Sequence, residues 1–359
     1  MDIIELLKLM VEKKASDLHV RVPSPPVLRI DGNLVPLQEL PSVTPRDAEL
    51  ALEHITTPEQ RDTFAKEKEL DFAYSIPGLA RFRVSVMWQR GTISLAFRLV
   101  PFETPSIDEL GLPQICKQLI LKPRGLILVT GPTGSGKSTT MATMIRHLNE
   151  NSARNVITIE DPIEYLHHNI KCIIAQRELG GDTKSFDIAL VHTLRHDPDV
   201  IVVGEMRDLE TISTAMRAAE TGHLVMGTLH TTDAPQTVDR IIDIFPPSQQ
   251  QQIRLQFSQV IEAVLSQTLL PRANGQGRIA AFEIMIASPA VRNLIREGKT
   301  FELHNVMQLS SGEGMQTLDQ ALADLVKKKI VTLEEAKMKS SHPERLRKLL
   351  EFQYGAAKR

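Results

Sequence analysis

The sequence predicts an α/β fold: a mostly parallel, buried sheet covered by helices, with an α+β segment before it and helices alone after it. Three observations carry this expectation. Short apolar runs without alternation recur at 126–129, 156–159, 200–203 and 224–226, the pattern of strands buried on both faces. Earlier in the chain, three segments alternate apolar and polar residues: Leu70, Phe72, Tyr74 and Ile76, then Phe82, Val84 and Val86, then Ile93, Leu95, Phe97 and Leu99. Period two predicts sheet with one face buried and one solvated. From about 289 to 353 only helical periodicity remains, with Leu318, Leu322, Leu325 and Val326 on one stripe.

In chain order, Ile3, Ile4, Leu7, Met10 and Val11 predict an amphipathic helix whose stripe faces a core. Residues 16–22 read as a strand, and 27–35 as a hairpin turning at Asp31, Gly32 and Asn33. A helical stretch follows near 45–55. Arg81, Arg83 and Arg98 stand between the apolar residues of the second and third alternating segments. They therefore share the solvated sheet face, either as a plain basic surface or as a ligand-facing one. Pro101, Pro105, Gly111 and Pro113 mark a linker. The expected organisation is an α+β domain over 1–100, a linker over 101–113, an α/β core over 114–288 and a helical region over 289–359. No internal repeat or low-complexity segment is present.

At 359 residues the chain exceeds what one hydrophobic core usually serves. Its 42% apolar and 24% charged residues place it among soluble globular proteins rather than collagenous or disordered ones. A net charge of −2 supplies no electrostatic footprint for nucleic acid, so no nucleic-acid partner is expected. Cys116 and Cys172 are too few for a disulfide framework or a four-thiolate zinc site, which predicts a reducing compartment and two buried thiols. Asp2 and Glu5 interrupt the apolar N-terminus, and no stretch approaches the roughly 18 apolar residues of a membrane span. The expected location is cytoplasmic, with membrane contact only through partners.

The chemistry is concentrated in the α/β part. Gly131, Pro132, Thr133, Gly134, Ser135, Gly136, Lys137, Ser138 and Thr139 match G-x-x-x-x-G-K-[ST], between a buried-strand run and a helical stretch. Glycines let the backbone N–H groups fold into an anion nest at the positive end of the helix. Lys137 is expected on the β- and γ-phosphates of ATP and Ser138 on Mg²⁺. Hydrolysis further needs acids that hold the metal and orient a water. One apolar strand ends at Glu160, with Asp161 and Glu164 following; another ends at Glu205, with Asp208 beyond. Acids at the carboxyl ends of parallel strands stand where open α/β sheets bind ligands. His223 and His230 flank a further short strand. Each could contact a γ-phosphate or be a hydrogen-bonded core histidine, and neither has a second ligand at metal spacing. Arg195 and Arg207, beside the Glu205 strand, are further cationic candidates.

These motifs resemble those of the type II/IV secretion ATPases, and among them the ATPases that power type IV pilus retraction and twitching motility. The resemblance covers nearly the whole chain. It is carried by Ser16-Asp17-Leu18-His19, the phosphate loop, the acidic box Glu160-Asp161-Pro162-Ile163-Glu164-Tyr165, Gly204-Glu205, the histidine box from Thr221 to Thr232, and Ala290-Val291-Arg292-Asn293-Leu294-Ile295-Arg296-Glu297. Val291 stands where the family usually has isoleucine.

The resemblance implies a RecA-like P-loop ATPase core with an N-terminal PAS-like α+β domain and a C-terminal helical tail. It also implies a homohexameric ring with ATP between the two domains. Glu205 would position or activate the attacking water. Glu160 and Glu164 would act around the metal, with Ser138 and Glu160 meeting Mg²⁺ through ATP. Arg81, Arg83 and Arg98 would neutralise the transferring phosphate across a domain or subunit boundary, a role worth roughly 10³ to 10⁵ in rate for arginine fingers. Implied partners are an inner-membrane pilus platform protein, on its cytoplasmic face, and an accessory retraction ATPase. Family members that drive assembly or secretion usually carry a longer N-terminal extension and a four-cysteine zinc element, and neither pattern is found here. An assembly or type II secretion ATPase, a nucleic-acid translocase on the same core, and a nucleotide-dependent scaffold remain the alternatives.

Overall fold

The computed structural model describes residues 2–30, 32–101 and 103–354, with side chains through residue 351. The chain divides into two compact units. One comprises the residues up to Glu103 together with Pro162–Leu166; the other comprises Thr104–Asp161 and everything from His167 onward.

The first unit opens with helix Ile3–Glu12, started by Asp2, whose carboxylate accepts from Ile4 N at 2.9 Å. The helix buries Ile3, Leu6, Leu7 and Met10. Six strands follow: β1 (Asp17–Arg21), β2 (Val27–Ile30), β3 (Asn33–Pro36), β4 (Glu69–Ile76), β5 (Ala80–Gln89) and β6 (Thr92–Val100). They form an antiparallel sheet in the order β3-β2-β1-β6-β5-β4. The expected hairpin is β2-β3; Asp31 of its turn lies outside the described residues. Between β3 and β4 run two helices, Pro45–Ile55 and Pro58–Glu67, each opened by a threonine capping box and a proline. The second helix escaped the sequence reading because its interior offers a single buried residue, Phe64.

Alternation on β5 and β6 sends Phe82, Val84, Val86, Leu95 and Phe97 into one core. The intervening residues go to the other face, where Arg83 stands directly opposite Arg98 and Arg81 lies two residues along β5. Like charges facing across a strand pair are unfavourable. Asp17 on β1, the register partner of Arg98, offsets this by accepting from Arg98 Nε at 2.9 Å.

The segment 101–113, expected to carry no element, contains helix Ile107–Leu110, because Ser106 and Glu109 form a capping box and Gly111 supplies the left-handed C-cap. Ile107 and Leu112 are buried in the core of the second unit. Phe102 lies outside the described residues.

The second unit is built on β7 (Gly125–Thr130), β8 (Asn155–Glu160), β9 (Ile173–Glu178), β10 (Val200–Val203), β11 (Leu224–Leu229), β12 (Ile261–Pro271) and β13 (Arg278–Ile286). Their order is β13-β12-β7-β11-β10-β8-β9, parallel throughout except for the antiparallel edge pair β12-β13. Leu126 and Leu128 of β7 enter the core on one face of the sheet, Ile127 and Val129 that on the other. This two-sided burial is why the run shows no alternation. The sequence reading placed no strands beyond Met226. In the structure β12 and β13 extend the sheet, and helices Leu318–Lys327, Leu333–Lys339 and Pro343–Tyr354 bring Leu322, Ala336 and Leu346, with Val331 from the turn between the first two, against their Leu270 and Ile279.

Candidate active site

The strand order brings four carboxyl ends into a row. β7 runs into the phosphate loop, β11 into His230, β10 into Gly204-Glu205, and β8 ends on Glu160. Backbone bonds continue the sheet past its last ladder rungs. Gly131 N donates to Leu229 O (3.3 Å), Met206 N to Thr228 O (3.0 Å) and Gly204 N to Ile159 O (2.7 Å). At Gly204 a Cβ would stand 3.0 Å from Ile159 O and 3.2 Å from Glu160 Cα. A side chain here would crowd both backbone atoms by a few tenths of an ångström, so glycine eases the close pass of the chain carrying Glu205 by the end of β8.

Helix Lys137–Asn151 starts directly after Gly136 and has no side-chain cap. Its orphan first-turn N–H groups are thus available to an anion. Gly131 sits at φ +140°, where a Cβ would meet Gln267 O at 2.3 Å and Ser135 Oγ at 2.7 Å. Lys137 Nζ folds over the loop and donates to the carbonyls of Gly131 (2.8 Å) and Pro132 (3.1 Å). Pro132, Thr133, Gly134 and Ser138 are exposed on the crest, and Ser135 is buried beneath it.

Gln267 of β12 supports the loop from below: it is buried, and its Nε2 donates to Ser135 O at 2.7 Å. Sequence reasoning missed it. The available signal was the polar pair Ser266-Gln267 inside an otherwise apolar run; Ser266 Oγ accepts from Thr130 Oγ1 at 2.8 Å.

Glu205 is held by two cationic neighbours. Arg207 donates to it from Nη2 and Nε, each at 2.6 Å, and His230 Nε2 lies 2.7 Å from Oε1. Burial pulls this carboxyl upward, but the hydrogen bond from Arg207 and the positive charges of His230 and Arg207 outweigh it, leaving the pKa below the ordinary carboxylate value. Glu160 Oε1 accepts from Thr158 Oγ1 (2.5 Å) and Gln176 Nε2 (3.0 Å). Among the described residues no group of three or more His, Cys, Asp or Glu side chains could hold a metal ion. The Ser138 hydroxyl and the Glu160 carboxylate are oxygen donors of the kind Mg²⁺ takes alongside phosphate oxygens and water.

The other candidates fall elsewhere. His223 precedes β11 and so stands at the opposite end of the strand from His230; its Nδ1 lies 2.9 Å from Ala218 O. Arg195 precedes the amino end of β10, whereas Arg207 follows its carboxyl end. Glu164 is exposed in the Pro162–Leu166 segment of the first unit, and Arg81, Arg83 and Arg98 lie on the sheet of that unit.

The family described as type II/IV secretion system protein matches residues 2–338. The chain belongs to that family. Among members of the secretion ATPase family it is 46% identical to the type IV pilus retraction ATPase PilT of Pseudomonas aeruginosa over 344 residues, 96% of this chain and 99% of that protein. It is 45% identical to a twitching motility protein of Neisseria gonorrhoeae over 89% of this chain and 85% of that one. A crystal structure of the pilus retraction motor PilT with bound ADP matches with a TM-score of 0.91 and 46% identity, covering 97% of this chain and 99% of the other. The fold class read from the sequence, a RecA-like α/β core with an N-terminal α+β domain and C-terminal helices, holds.

Proposed function

We propose that the chain is a Mg²⁺-dependent ATP hydrolase that powers type IV pilus retraction, working as a homohexameric ring. The observation that carries the chemistry is the row of four parallel carboxyl ends in one sheet, from which the phosphate loop, His230, Glu205 and Glu160 follow. The output is argued from likeness to pilus-retraction relatives over almost their full length.

The residues divide the work as follows. The phosphate loop and the N-terminus of helix Lys137–Asn151 bind the phosphates, with Lys137 turning from the loop carbonyls to the β- and γ-oxygens. Mg²⁺, met by Ser138 and Glu160 through ATP, would supply charge neutralisation on those oxygens. Glu205 orients the attacking water. With its pKa depressed it is a weak base, suited to accepting a hydrogen bond from water rather than a full proton early in the reaction. His230, bonded to Glu205, senses whether the γ-phosphate is present. Glu164, like Glu160, is assigned to act around the metal. Arg81, Arg83 and Arg98 are assigned to charge neutralisation supplied by the first unit of the same or a neighbouring copy. Loss of the γ-phosphate then removes the differential contact that holds the nucleotide-bound state, and an inner-membrane platform protein receives the motion at the cytoplasmic face. No described helix is long and apolar enough to cross a membrane.

The test is steady-state ATP hydrolysis by wild type and Glu205→Gln, with oligomer size recorded in the same samples. The variant should assemble and bind ATP but turn over on the order of 10² to 10⁴ times more slowly. Undiminished turnover would move the role of Glu205 to Glu160 or Glu164.

A further inference from the structure

We propose that Glu283 is a positioning residue for ATP hydrolysis, its buried carboxyl on β13 tying the helix that follows the histidine loop to the C-terminal helical region. Glu283 is 3% exposed, and its Oε1 accepts from Ala234 N at 2.8 Å. Ala234 opens helix Ala234–Asp243, four residues after His230. The intervening turn is stiff: Thr231 Oγ1 and Thr237 Oγ1 lie 2.7 Å apart, Thr237 Oγ1 donates to Asp233 O (2.6 Å), and Asp233 caps Gln236 N (2.8 Å). His230, at the near end of this turn, contacts Glu205 at 2.7 Å. The backbone of Leu318, the first residue of helix Leu318–Lys327, also favours the charged form of the Glu283 carboxyl. One side chain is therefore bonded to the N-terminus of the helix that leads back to Glu205 and coupled electrostatically to the N-terminus of a C-terminal helix.

A neutral glutamine would serve a merely structural tie, because it also accepts a hydrogen bond from Ala234 N. The carboxylate adds a charge to which both positive helix ends respond, and the surroundings oppose that charge. The acids facing Glu283 are Asp233, before the first helix, and Asp319, on the second. Asp319 is 2% exposed; its Oδ1 accepts from Ser340 Oγ at 2.6 Å, while its Oδ2 has no hydrogen-bond partner among the described residues. The nearby cationic candidates are grouped around His304, whose own protonation is disfavoured by burial and then by Arg345 and His342. Burial foremost, with repulsion from Asp233 and Asp319, pushes the Glu283 carboxyl up to about 7. The tie thus changes strength across neutral pH: as a carboxylate it holds the histidine loop firmly, and as a carboxylic acid it holds it weakly.

This inference rests on the roles given above to Glu205 and His230. The experiment is the pH profile of steady-state ATP hydrolysis between pH 6 and pH 8.5 for wild type and Glu283→Gln, with oligomer size and melting temperature followed in parallel. Wild-type kcat should rise with pH through an ionisation near neutrality. The variant should lack that rise and fall on the order of tenfold below wild type at pH 8. KM for ATP should be unchanged, since Glu283 is bonded to a helix terminus away from the phosphate loop. Turnover by Glu283→Gln at the wild-type rate at pH 8, or the same ionisation in the variant, would overturn the proposal. Should Glu283→Gln not fold, Asp319→Asn decides the matter. Removing a repelling charge should shift the wild-type ionisation to lower pH while kcat at pH 8 is kept, and an unmoved midpoint refutes the role. Failure of the underlying reading is seen separately, as undiminished turnover in Glu205→Gln.

Discussion

Replacing Glu283 by glutamine should stabilise the protein at alkaline pH, and the size of the effect follows from the site. The carboxyl titrates near 4.5 when solvated and is pushed to about 7 in the fold, a difference of about 2.5 units or about 3 kcal/mol. Because the folded state binds this proton more tightly than the unfolded chain, the stabilisation is complete below pH 4.5. It is lost as pH rises to 7 and stays lost above that. Glutamine has no such proton. Wild type and variant should therefore melt within about 1 kcal/mol of each other at pH 5, and diverge by up to about 3 kcal/mol at pH 8 with the variant higher. At roughly 2–4 °C per kcal/mol for a unit of this size, the gap should approach about 6–12 °C. Scanning calorimetry of nucleotide-free protein at pH 5, 6, 7 and 8, at matched concentration and oligomer size, measures it. An equal gap at pH 5 and pH 8, or a variant that melts below wild type at pH 8, would refute the buried, titrating carboxyl. Combined with slower turnover, the expected outcome is a variant that is more stable and less active.

Two further substitutions probe other parts of the second unit. Gly131→Ala forces a Cβ to 2.3 Å from the Gln267 carbonyl at φ +140°, so the phosphate loop must open; ATP affinity should weaken at least about a hundredfold, or by roughly 3 kcal/mol, in a protein of otherwise normal circular dichroism. Arg292→Ala removes bonds from helix Pro289–Glu297 to Ala287 O, Ser258 O, Gln259 O and the Glu262 carboxylate at 2.6–3.2 Å. Stability should fall by about 2–4 kcal/mol, since partly buried carbonyls and one carboxylate oxygen lose a charged donor, and urea unfolding checks it.

The placement of the motifs was legible where it depended on local backbone requirements. Gly131 and Gly136 bracket the phosphate loop because an anion nest needs positive φ. The acids Glu160 and Glu205 were found because apolar strand runs ended on them. Candidates defined only by sequence proximity fared less evenly. His223 and His230 both flank β11, yet only His230 stands at the end that bears Glu205, and Arg207 but not Arg195 follows the carboxyl end of β10. The sequence shows that a residue lies at a strand end; which end faces the site is fixed by the direction of the strand within a parallel sheet.

The local content of this protein was therefore written in its sequence: an α/β unit with a phosphate loop, two acid-ended strands and a preceding sheet with one face buried and one solvated. Spacing, alternation and glycine placement are short-range properties, and they suffice for such features. Tertiary structure alone decided the strand order that gathers four carboxyl ends on one edge, and the placement of Gln267 under the loop across 132 residues of chain. It also decided that the buried Glu283 carboxyl accepts from Ala234 N, 49 residues away in sequence. The physical reason is the same in each case. A buried polar group takes its energy and its pKa from neighbours, and those neighbours exist only once the sheet has assembled.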